Sequence, residues 1–171
     1  MEQEQQAAAR DGQVSSAQYQ LDLILGFFPR VDTLLVALLG VNLAMLGVVF
    51  ARAPSPAELS GAQALGALLF LGPAMASLFY LYRGSFPNLD GGFGSLIYFR
   101  EIAKLDPGDY VRRYSEQTET QLSEGILHQA WRNACILNDK FRRLKVAFRW
   151  LLASVCPWTL LLLSFPASKG A

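Results

Sequence analysis

The chain holds 171 residues, of which 52% are hydrophobic and only 17% charged, against roughly 25% charged in a typical soluble domain. That balance excludes a disordered tail or a charged coiled coil and argues against an ordinary soluble globule. Fifteen Lys and Arg against fourteen Asp and Glu leave a formal net charge of +1, so no basic excess points to DNA or RNA as a partner.

In chain order, residues 1–30 form a polar N-terminal helix that carries an apolar stripe. Val14, Ala17, Leu21, Ile24 and Phe28 follow alternating steps of three and four, a seam of period 3.5. Pro29 is expected to kink or break this helix. Residues 31–50 are apolar apart from Asp32 and Asn42; twenty residues at helical rise cover about 30 Å, the thickness of a bilayer core. The seam continues through this first span as Val31, Leu35, Leu38, Asn42, Met45 and Val49. Four acids precede it (Glu2, Glu4, Asp11 and Asp22), and the apolar run is too long for a signal-peptide core, so a retained anchor is expected.

Residues 51–61, with Pro54 and Pro56, read as a short external loop. The second span, residues 62–82, has no charge and is rich in small residues (Gly66, Gly72, Ala74, Ala76 and Ser77), which let helices approach closely in lipid. Residues 83–145 form a helical region on the other side. It opens with a loop containing Pro87 and the glycine-rich stretch Asp90 to Gly94, which lacks the lysine and hydroxyl residue of a phosphate loop. Ser95 is expected to cap a helix to about Leu105. Asp106-Pro107-Gly108-Asp109 opens a second helix, and Thr118 with Gln121 forms a capping box for a third. On that helix Leu127, Ala130, Ala134, Leu137, Phe141, Leu144 and Phe148 are expected to form a second 3.5-period seam. The helix leads into a third span, residues 146–165, which carries Arg149 and Pro157. Residues 166–171 form a short external tail.

The fold class is therefore an all-α membrane protein. It has three transmembrane helices, cytoplasmic helical stalks and a small helical cytoplasmic segment. Basic residues near the span ends set its orientation. Arg30, Arg83, Arg132, Lys140, Arg142, Arg143 and Lys145 fall on one side and Arg52 and Lys169 on the other, which puts the N-terminus in the cytoplasm. Asp32 and Arg149 lie at similar depth and are candidates for an ion pair, with Arg149 alternatively reaching headgroup phosphates. Asn42 is mid-span and is expected to face another helix or a pore. The seams leave packing within one chain and association between copies both open; the amide in the seam favours a homo-oligomer.

Catalytic residues are not expected: no nucleophile elbow, phosphate loop, dinucleotide fingerprint or zinc-protease helix occurs. No metal site or cofactor is expected either, since His128 stands alone and Cys135 and Cys156 are 21 residues apart on one helix. Basic and aromatic residues of the cytoplasmic region suit a nucleotide: Arg100, Lys104, Arg112, Arg113 and Arg132 for phosphate, and Tyr98, Tyr110 and Trp131 for stacking a base. The plainer reading is that Lys140, Arg142, Arg143 and Lys145 serve anionic lipid headgroups and the remaining cations are solvated.

Phe28-Pro29-Arg30-Val31-Asp32, the stretch Ser95 to Leu105, Asp109-Tyr110, and Trp131-Arg132-Asn133-Ala134 through Lys140-Phe141-Arg142 together resemble the transmembrane effector family of bacterial Pycsar antiphage systems. The family pattern places Lys two residues after the Asp; here Leu34 stands there. The resemblance implies a non-enzymatic effector in the bacterial inner membrane. Such an effector responds to a cyclic pyrimidine nucleotide (cyclic UMP or cyclic CMP) made by a partner pyrimidine cyclase, and impairs the membrane to cause abortive infection. The alternative is a structural membrane adaptor or channel subunit with no nucleotide ligand.

Overall fold

The computed structural model describes residues 1–55, 58–86 and 92–165, with side chains from residue 12 onward and at residue 1. Pro56, Pro87, the Asp90-Gly91 start of the glycine-rich stretch, the tail 166–171 with Lys169, and the Glu2, Glu4 and Asp11 side chains lie outside the described residues. The elements are α1 (Glu2–Leu25), α2 (Phe28–Arg52), α3 (Gly61–Ser85), α4 (Phe99–Ile102), α5 (Pro107–Ser115) and α6 (Glu119–Ser164). Among the described residues there is no strand.

Local chemistry places most helix ends. Ser60 and Gln63 close a reciprocal capping box on α3. Thr118 and Gln121 do the same ahead of α6, at 3.0 and 3.3 Å. Asp106 accepts from Gly108 N at 3.1 Å and Pro107 takes the first turn of α5. Helical structure is interrupted at Gly26 and Phe27, two residues ahead of Pro29, which sits in the first turn of α2 where its missing N–H costs nothing.

Ser95 corrects the sequence reading. Its hydroxyl accepts from Ile97 N at 3.2 Å and Tyr98 N at 3.1 Å, a local turn that competes with helix. The helix begins only at Phe99 and ends at Ile102.

The chain divides into two units. One comprises Met1–Pro29 and Asn88–Asn138, the other Arg30–Pro87 and Asp139–Ala171. In the second unit α2, α3 and the C-terminal part of α6 pack around Met45, Val49, Phe70, Ala74, Leu151, Leu161 and Phe165. Three helices are long and apolar enough to cross a membrane among the described residues, yet only 22% of each apolar window is buried. Leu68 (70% exposed), Val36 (67%) and Leu163 (77%) point outward. A surface of that kind is stable only against lipid, so this is a multi-pass membrane protein.

Polar groups inside the bundle are tied to backbone carbonyls, as an apolar solvent demands. Ser77 Oγ donates to Ala147 O (3.0 Å) and Trp158 Nε1 to Met45 O (3.1 Å); at an exposed end of the helices Gln63 Nε2 donates to Ser164 O (2.8 Å). Asn42 is fully buried; its Nδ2 donates to Ala74 O at 3.3 Å, and its Oδ1 has no partner.

The α2 seam is the face that is buried: Val31, Leu35, Asn42, Met45 and Val49. The α6 seam differs from expectation. Its inward residues are Ser123, Ile126, Ala130, Lys140, Leu144, Ala147, Leu151, Ser154, Leu161 and Phe165, with half-buried Asn133, Leu137 and Trp158 filling the same alternation of three and four. Ala130, Leu137 and Leu144 belong to both registers; Leu127, Phe141 and Phe148 are exposed beside the buried face. The expected Asp32–Arg149 pair is also replaced. Lys140, 7% exposed at its side chain, meets Asp32 at 2.5 Å, while Arg149 is exposed. On a helix the nine-residue step from Lys140 to Arg149 spans about 13.5 Å, so one carboxylate cannot serve both.

A candidate ligand cleft in the first unit

Within the first unit, the loop before α4 folds against the N-terminal part of α6. Gly92 and Gly94 both have φ +73°, a conformation that side-chain-bearing residues rarely adopt. A Cβ on Gly92 would also meet Tyr98 Cδ1 at 2.8 Å. Ser95 N bonds Gly92 O at 2.9 Å, closing the turn. Gly94 N donates to Glu101 Oε2 at 3.1 Å, and Lys104 Nζ donates to Glu101 Oε1 at 2.6 Å. These two bonds, the Lys104 one foremost, hold the Glu101 carboxyl below its ordinary pKa of 4.5. On the α6 side Gly125 permits close approach: a Cβ there would lie 3.0 Å from Ile97 Cδ1.

Loop and helix enclose a cavity of about 400 Å³, within the range of small-molecule sites. Its loop wall runs from Gly92 to Ile97, and Gln117, Gly125, His128, Gln129, Trp131 and Arg132 form the remainder. The Arg132 guanidinium lies 4.9 Å from the centroid of the buried Tyr98 ring, a cation–π contact that fixes its position. Trp131 is 70% exposed and Phe93 86%, so both aromatic side chains are open to solvent where they line the cleft. Gln117 Oε1 is buried without a hydrogen-bond partner, an acceptor whose desolvation is uncompensated. Such a cleft can stack a planar base, donate to an anion from Arg132 and read polar edges with Gln117, Gln129 and His128.

Of the residues expected to bind ligand, Trp131 and Arg132 line this cleft and Tyr98 supports Arg132 from behind. Lys104 stands at its margin, 5.9 Å from the Phe93 ring centroid. Arg100 and Arg113 are exposed and do not line it. Arg112 is turned to Asp109 at 2.7 Å, and Tyr110 packs on Tyr114. Phe93, Gln117, His128 and Gln129 were not expected. The last two are legible in hindsight: Gly125, His128, Gln129 and Arg132 recur at the three- and four-residue spacing of one helix face. Among the described residues no cluster of three His, Cys, Asp or Glu side chains could hold a metal.

A lipid-exposed helical bundle and a second unit bearing an aromatic and cationic cleft make this a multi-pass, all-α membrane protein. Residues 16–166 match the Pycsar effector protein domain, so the chain belongs to the Pycsar effector family. No curated protein and no solved structure matches it.

Proposed function

We propose that this protein is a Pycsar effector of the bacterial inner membrane, with its N-terminus cytoplasmic. A partner cyclase makes cyclic UMP or cyclic CMP, the nucleotide occupies the cleft, and the bundle, assembled from several copies, becomes leaky. The observation that carries this reading is one helix with two roles: α6 supplies Trp131 and Arg132 to the cleft and continues through Leu144, Ala147 and Leu151 into the bundle core. Base stacking on Trp131 contributes about 1–3 kcal/mol. Ligand energy shifts the bundle only to the extent that the leaky state binds nucleotide more tightly. A preference of about 5.5 kcal/mol is needed to move a 1:99 population to 99:1, more than one stacked base supplies, so Arg132 and the buried Gln117 acceptor must contribute.

No catalytic step is assigned to the cleft. Its groups bind and orient, and the reading is of a non-enzymatic effector. The test is dye release from liposomes holding the full chain. Micromolar cyclic UMP or cyclic CMP should cause release where cyclic AMP does not. Silence with both pyrimidine nucleotides refutes the reading and leaves an adaptor without nucleotide as the better account.

A further inference from the structure

Within the bundle unit a second cavity, of about 440 Å³, opens between α3 and α6. Phe79, Tyr80 and Arg83 line it from α3, and Arg142, Arg143 and Val146 from α6. Its two halves differ in chemistry: Phe79, Tyr80 and Val146 give an apolar floor, and the three guanidiniums give a cationic rim. The Arg83 guanidinium lies 5.8 Å from the Phe79 ring centroid. Arg143 donates to the Arg83 carbonyl and, at 3.4 Å, to Asp139, which Arg142 also reaches at 2.8 Å. Asp139 thus pairs with two of the three arginines, and the rim keeps a surplus of positive charge. Tyr80 in the lining and the exposed Tyr82 beside it are of the kind that gather where hydrocarbon meets water.

From this juxtaposition we infer that the cavity is a binding site for an anionic phospholipid: its phosphate is held by Arg83 and Arg142, and its glycerol and upper acyl segment lie on Phe79, Tyr80 and Val146. A free phosphate would satisfy the rim and leave the floor bare; a zwitterionic lipid would bring its own cation against the arginines. Basic pockets between membrane helices are known to take acidic headgroups. Arginine suits the role because its planar fork meets two phosphate oxygens at once. With Arg143 already bonded to the α3 backbone, the bound lipid would join α3 to α6 and favour the closed bundle. The site itself does not depend on the nucleotide reading.

The test is native mass spectrometry of the full chain in detergent, titrated with dioleoyl phosphatidylglycerol, dioleoyl phosphatidylcholine or inorganic phosphate. Phosphatidylglycerol should be retained in preference to phosphatidylcholine and resist an equal concentration of inorganic phosphate. Arg83→Gln with Arg142→Gln should weaken it about fivefold per arginine. The corresponding double Lys variant should fall between the two, and Lys145→Gln, outside the cavity, should match wild type. Equal retention of both lipids, displacement by inorganic phosphate, or unchanged binding in the double Gln variant would overturn the inference.

Discussion

Lys140 is the residue with most at stake in the bundle, because its ammonium is buried while its partner Asp32 is half exposed. Asp32→Asn removes the carboxylate from a buried cation and should cost about 1–3 kcal/mol, whereas Lys140→Met removes the charge itself and should cost less. Thermal unfolding in detergent measures the order of the two; the reverse order would refute the assignment. Glu101 sets the pH behaviour of the cleft loop. Its carboxyl titrates below 4.5 when folded, so its bonds to Gly94 and Lys104 should be fully present above pH 4.5 and lost as pH falls through the lowered value. The Gly94 amide resonance should report that step, and Glu101→Gln should remove it. Gly92→Ala should cost about 1 kcal/mol from the positive φ alone, with the Tyr98 contact adding to it, and should weaken ligand binding while leaving membrane insertion intact. The cleft was partly legible at this scale: Tyr98, Trp131 and Arg132 stand out as aromatics and a cation. Gln117 does not, because an amide between α5 and α6 acquires meaning only when long-range packing buries its oxygen.

Among the elements, α2 and α6 show why one seam was readable and the other shifted. On α2 the 3.5-residue period selects Leu, Val and Met, which are also the residues buried. On α6 Phe141 and Phe148 face outward, while Lys140, Ala147 and Ser154 face inward. In lipid the burial of grease drives nothing, so close helix packing favours small residues inside and leaves bulky ones to the acyl chains. Reading hydrophobicity alone therefore lands one position off. Ala147→Phe should destabilise the bundle by at least about 1–3 kcal/mol through overpacking against α3, and Phe148→Leu should be near neutral. Comparable effects of the two substitutions on thermal unfolding would return the seam to the sequence-derived register. Function should follow the buried face too: if α6 packing transmits the signal, Leu144→Asp should abolish nucleotide-triggered dye release and Phe141→Asp, on the exposed side, should not.

For the whole molecule, the chain's division of labour was visible in composition: three spanning-length apolar runs, and a charged helical region between the second and third. The sidedness of each unit and the number of copies depend on the bilayer and on partners, which one chain's pattern does not encode. The claim on which the rest turns is that the cleft of Gly92–Ile97 and α6 receives a cyclic pyrimidine nucleotide. Calorimetric titration of cyclic UMP and cyclic CMP into the detergent-solubilised full chain tests this most directly, with Trp131→Ala and Arg132→Gln beside wild type. Saturable binding of one nucleotide, weakened about 5- to 150-fold by Trp131→Ala and comparably by Arg132→Gln, is the predicted result. Equal affinity in all three proteins, or no binding to wild type, would contradict it.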